Sequence, residues 1–169
     1  MSRNYSLGMT PRLAQSALAD EMRKLFEGKK YAGQEGRKEL NVFEQDTPIP
    51  QGDDDDVDTD RANAPYVVVQ MDGGAVNTPD NPQMVDFTLV ICAFDRGADR
   101  QGYQDVANIK EDIVQRFCTA PYFGGAYTIQ YPITWAMQMD DTYPYYYGAV
   151  LLKCTTPAMT CDTEMEELV

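Results

Sequence analysis

Residues 127–139 read YTIQYPITWAMQM, and residues 143–155 read YPYYYGAVLLKCT. In the first run Tyr127, Ile129, Tyr131, Ile133, Trp135, Met137 and Met139 alternate with Thr128, Gln130, Pro132, Thr134, Ala136 and Gln138. A period of two is the pattern of a strand with one face toward a core. Asp140, Asp141 and Thr142 supply turn chemistry between the two runs, so the pair predicts a β-hairpin with arms of about a dozen residues, or roughly 40 Å at strand rise. Pro132 has no N–H to give to a ladder and predicts an edge position or a bulge. A hairpin of this length commits the sheet to antiparallel pairing.

Working outward, the period changes to 3.6 over 101–119. Tyr103, Val106, Ile109, Ile113, Val114 and Phe117 form an apolar stripe with Asp105, Lys110, Glu111, Asp112 and Arg116 off it, which predicts a helix. Residues 83–94 alternate again, with Val85, Phe87, Leu89, Ile91 and Ala93 on one face and Asp86, Thr88 and Cys92 on the other. Residues 66–71 (YVVVQM) read as a strand ending at Asp72-Gly73-Gly74, and 39–45 (ELNVFEQ) as a short one. Near the start, Thr10 and Pro11 are an N-cap and a first-turn proline. Leu13, Ala17, Leu18, Met22, Leu25 and Phe26 follow at helical spacing, and Gly28 closes the helix. The sum is an α+β domain over 1–161: a mostly antiparallel sheet, two helices packed on one face, a long C-terminal hairpin and an acidic tail at 162–169. At 169 residues the chain has room for one domain.

Charge is distributed unevenly. The formal net charge is −13. Eight acidic residues and no basic one lie between Glu44 and Asp60, among them the consecutive Asp53, Asp54, Asp55 and Asp56, followed by Asp58 and Asp60. The tail adds Asp162, Glu164, Glu166 and Glu167. Like charges at this density resist burial, so 46–63 is expected to be a solvated acidic loop, extended over 47–63; Pro48, Pro50 and Gly52 reinforce this. The loop does not fit an EF-hand. Counting from Asp54, position six is Thr59 and position twelve is Pro65; from Asp56 they are Arg61 and Val67. The motif needs glycine and glutamate there.

Composition removes several function classes. With no histidine, Ser–His and Cys–His catalysis and histidine-bearing zinc sites are excluded. The acidic balance opposes nonspecific nucleic-acid binding and docking to anionic membranes. Residues 1–8 lack the apolar core of a signal peptide, and no window has the apolar length of a membrane helix. Cys92, Cys118 and Cys154 lie in apolar periodic segments and Cys161 near the end. They read as reduced core thiols of a protein made in the cytoplasm, with a disulfide framework or a metal cluster as the alternatives. The close carboxylates, Asp140 with Asp141 and the 53–56 run, fall in hydrophilic turns where both stay ionised, which disfavours acid–base chemistry. Gly73-Gly74 and Gly124-Gly125 lack the spacing and the lysine of a phosphate loop. Tyr143, Tyr145, Tyr146 and Tyr147 lack the cations of a base-stacking platform and suit a protein–protein interface. The pattern calls for no enzyme, cofactor or metal.

The phrases APYVVVQMDGG, MVDFTLVICAFD, GYQDVANIKEDIVQRF, IQYPITWAMQ and YPYYYGAVLLKC, spread over 64–157, resemble the tail terminator proteins of long-tailed bacteriophages, also called tail completion or head–tail joining proteins. The resemblance covers a little over half the chain and lies in element order and in the strand–loop–GY–helix and W-to-YP junctions. It implies a hexameric ring on the head-proximal end of a tail tube, with the tube protein, the head connector or a neck protein, and the passing genome as partners. It also implies a loop in the ring lumen. Asp53 to Asp56, with Asp58 and Asp60, would line that lumen and repel DNA phosphates; Tyr143, Tyr145, Tyr146 and Tyr147 would serve the assembly interface. Another neck or tail tube protein, an acidic module that engages a basic partner in the manner of a DNA mimic, and a carboxylate hydrolase are the competing readings.

Overall fold

A computed structural model of the protein describes residues 10–49 and 58–158. In chain order the elements are α1 (Pro11–Leu25), β1 (Lys30–Gly33), β2 (Gly36–Glu39), β3 (Asn41–Glu44), α2 (Thr59–Asn63), β4 (Tyr66–Ala75), β5 (Gln83–Phe94), α3 (Tyr103–Thr119), β6 (Tyr122–Phe123), β7 (Tyr127–Met137) and β8 (Tyr145–Thr156). Six strands form one sheet in the order β3-β4-β5-β8-β7-β6, and β1 and β2 pair separately. Every pairing is antiparallel except β3 with β4, which is parallel. The architecture is the expected α+β one.

Local chemistry accounts for the helices. Thr10 caps α1, its hydroxyl accepting from the Leu13 N–H at 3.2 Å, with Pro11 in the first turn. Gly28 at φ +77° gives the turn beyond α1 a left-handed residue that a side chain would disfavour. Alternation places Val67, Val69, Val85, Phe87, Leu89, Ile91, Val150 and Leu152 on one sheet face. There they join Leu18 and Met22 of α1 and Ile109, Ile113 and Phe117 of α3 in the main core. α3 comes very close to the sheet at Gly148, where an added Cβ would sit 2.7 Å from Val106 Cγ1.

The opposite face holds a second, smaller core of Ala64, Tyr66, Val68, Cys92 and Phe94, with Phe43, Val90, Tyr145 and Tyr147 packed against it. This corrects the sequence expectation of a loop throughout 47–63: α2 forms within it, and its C-cap Ala64 is buried. Asp58 caps α2, accepting from the N–H groups of Asp60 and Arg61 at 3.2 and 3.3 Å. Asp53 to Asp56 lie outside the described residues. β4 continues four residues past the expected end through a register shift between Met71 and Gly73. The β1–β2 hairpin was not expected at all.

Candidate assembly surface

The 127–155 hairpin forms as anticipated, and Pro132 sits in the register shift between Gln130 and Thr134. Two extra residues on β7 keep the parity, so Ile129 opposes Cys154 and Trp135 opposes Val150 on the same face. β6 pairs with β7 only through Thr128 and Tyr127. From Gln130 onward, β7 is the sheet edge. The Ile129 N–H reaches outward to Pro121 O at 2.8 Å, while the Gln138 N–H reaches inward to Tyr147 O at 3.1 Å. Alternate residues of an antiparallel ladder direct their backbone groups to opposite sides, so Ile133, Trp135 and Met137 point theirs away from β8. No described strand receives them.

This edge is apolar and has no charged residue of its own. Tyr131 is 65% exposed, Trp135 51% and Met139 97%. Residues 117–139 contain no Asp, Glu, Lys or Arg in a chain that is 24% charged. Exposed edges are ordinarily protected by charged side chains, prolines or bulges. Here the proline and bulge protect only the first half of β7. The uncharged run was legible in the sequence, but alternation alone did not single it out. The other outer edge, β3, is partly covered by α1: Arg23 donates to Val42 O at 3.2 Å and Arg12 pairs with Glu44 at 3.0 Å.

Lys110 was expected on the solvent face of α3. It is 8% exposed, with its ammonium 3.7 Å from the Trp135 ring centroid and 3.2 Å from Glu111. The aliphatic stem packs while the charge finds a π face and a carboxylate. Tyr103, placed in the apolar stripe from sequence, is 47% exposed at the start of the helix.

The four tyrosines do not form one platform. Tyr143 is exposed, donates to Arg96 O at 2.6 Å and stacks under Arg100, which also pairs with Asp141. Strand alternation then separates the rest. Tyr146 turns to the helix face against the main core, while Tyr145 and Tyr147 stack on the outer face at 6.3 Å, Tyr145 edge-on to Phe94. Met137, Met139 and Tyr143 with Arg100 border a cleft of about 310 Å³ at the hairpin turn, whose acids are the exposed Asp140 and Asp141. Asp60 is not a bare loop carboxylate: it accepts from the Tyr66 hydroxyl at 2.9 Å and from the Tyr147 hydroxyl. Asp58 is the exposed N-cap of α2.

Among the described residues no three Cys, Asp or Glu side chains gather as metal ligands. None of their helices is long and apolar enough to cross a membrane. Cys92 and Cys154 are buried but Cys118 is exposed, because it lies one residue, about 100° of helix, beyond the core-facing Phe117. Burial raises the Cys92 and Cys154 thiols from the ordinary 9.0 to about 12. Folding favours their protonated forms, so their contribution to stability is full below pH 9.0 and declines as pH rises toward about 12. Alkylation of the native protein at pH 8 is expected to modify Cys118 and to spare Cys92 and Cys154 until denaturant is added. Modification of either buried thiol at the Cys118 rate would contradict the packing of the core it lies in.

No protein-family model and no curated protein matches the sequence.

Proposed function

We propose that this chain is a structural virion protein, a tail terminator that closes into a hexameric ring, caps the head-proximal end of a phage tail tube and offers a surface to the head connector. The observation that carries this reading is the open, uncharged edge of β7 in a chain with a net charge of −13. Copies with that charge repel one another, and a neutral edge is where they meet at least cost. A built-in edge of this kind suits a protein that is covered by other subunits. The resemblance over 64–157 narrows that class to the tail terminators. On this reading the ring requires no catalysis or cofactor.

Native mass spectrometry across a concentration and magnesium series tests the reading. The expected species is a closed six-subunit ring of 19.0 kDa chains with nothing larger. Open-ended polymers would replace it with a tail tube subunit. A monomer that also fails to bind preformed tail tubes, yet captures a cationic protein in a salt-sensitive way, would replace it with an acidic binding module.

A further inference from the structure

We propose that neighbouring copies join head to tail, the β2 edge of one adding to the β7 edge of the next, so that the two-stranded and six-stranded sheets become continuous across each contact. The proposal rests on the ring reading above and specifies its interface.

β2 is the second open strand of the molecule. On the β1 side of the hairpin, the Ala32 N–H donates to Asp105 Oδ2 at 2.8 Å, so that side is occupied by α3. Ala32 is the cross-strand partner of Arg37. Because Ala32 directs its backbone groups away from β2, Arg37 directs its own away from β1, and Glu39, two residues on, does the same. Both residues are exposed, and neither backbone N–H has a backbone partner among the described residues. A two-stranded ribbon outside the main sheet is marginal in water by itself. Here it is held by the buried Tyr31 and by Asp105.

The two open edges lie on opposite flanks of α3. Asp105 and Asp112 of that helix hold the hairpin, the first through Ala32 and Arg37 and the second through Lys29 at 3.0 Å. Lys110, about 140° further round the helix from Asp105, meets Trp135 of β7 instead. Each copy can therefore give one edge and receive one, the heterologous arrangement that forms a ring when the rotation from copy to copy closes. Charge favours the same match. Lys30 and Lys38 of the hairpin have no carboxylate partner among the described residues. β7 has no charged residue, and acidic Asp140 and Asp141 follow it. A hairpin with three basic and two acidic side chains is thus offered a neutral edge ending in carboxylates.

Two double variants of the full chain test this. Thr134→Lys with Ala136→Lys sets two cations on the exposed outer face of β7 and leaves its bonds to β8 in place. Lys30→Glu with Lys38→Glu reverses the hairpin charge. Each variant alone is expected to lose the ring species and sediment as a monomer with wild-type circular dichroism. Mixed one to one, the two should associate again, at least as a dimer, since each retains one sound edge and the added lysines of one meet the added glutamates of the other; that association also shows that both variants are folded. Rings persisting in both variants would overturn the interface and leave the ring reading standing. Loss of association in the β7 variant only, with no dimer on mixing, would replace the proposal with β7-to-β7 self-pairing. A wild-type chain that stays monomeric at every concentration and also fails to bind preformed tail tubes would overturn both.

Discussion

Phe87→Ala is expected to destabilise the protein by about 3–5 kcal/mol, the range for removing a buried phenylalanine ring. Phe87 is 1% exposed at the middle of β5, between Met71 of β4 and Leu152 of β8. It shares the main core with residues of α1 and α3, so its ring helps attach the helical layer to the centre of the sheet. Neighbouring strands on both sides prevent the site from collapsing around the cavity, which puts the loss in the upper part of the range. For a domain of this size the melting temperature should fall by roughly 6–20 °C, and the free-energy loss is a large share of the ~5–15 kcal/mol typical of a whole domain. Thr88→Ala, one residue along on the opposite, partly open face, serves as the control and should cost about 1 kcal/mol or less. Urea denaturation of both variants checks the contrast. Equal losses would mean that the helices do not pack on the Phe87 face.

That contrast is legible in the sequence, because β5 alternates strictly and has one apolar face. The same holds for β7, and for α1, whose Thr10-Pro11 start is chemically explicit. Where the sequence reading failed, tertiary contacts decide the local structure. The β1–β2 hairpin lies in a charged stretch, KYAGQEGRKE, with a single buried hydrophobe, Tyr31; its anchor is a carboxylate 73 residues away. The parallel pairing of β3 with β4 leaves no trace in the period of either strand. Lys110 was assigned to water because a helical wheel sorts side chains by their tips, and a lysine stem can pack beside an indole.

The candidate assembly surface is half legible in the sequence. Pro132 announced a bulge or an edge, and the structure has both. The tyrosine run, read as one patch, is divided by strand alternation: Tyr145 and Tyr147 face one side and Tyr146 the other. Charge density is the one property the acidic run displays in sequence, and it predicts uniform solvation. Nothing local marks Asp60 as different from Asp58. The difference arises from β4 and β8, which bring two phenols to it from residues 66 and 147.

Asp60→Ala is therefore expected to cost about 2–4 kcal/mol, since it removes a charged acceptor from two hydroxyls at once and leaves both in a partly buried site. Tyr66, Cys92 and Tyr147 are lateral neighbours across β4, β5 and β8, so the two phenols converge on the carboxylate from either side of the thiol. This contact pins the C-terminal end of the acidic segment to the sheet face opposite the main helices. Asp58→Ala removes only the cap of a five-residue helix and should cost about 1 kcal/mol. Asp60→Asn keeps one acceptor oxygen and should fall between the two. Burial, with the Asp60 carboxylate adding to it, pushes the Tyr66 and Tyr147 phenols far above the ordinary 10.0. The folded state thus retains protons that the unfolded chain releases, and stability falls as pH rises above 10. In Asp60→Ala the contribution of the carboxylate to that rise is lost while that of burial remains, so the alkaline decline should become shallower. Urea denaturation at pH 7 and pH 10.5 measures both effects. An Asp60→Ala variant no less stable than Asp58→Ala would show that water, not the carboxylate, satisfies the two phenols, and that the acidic segment is not held there.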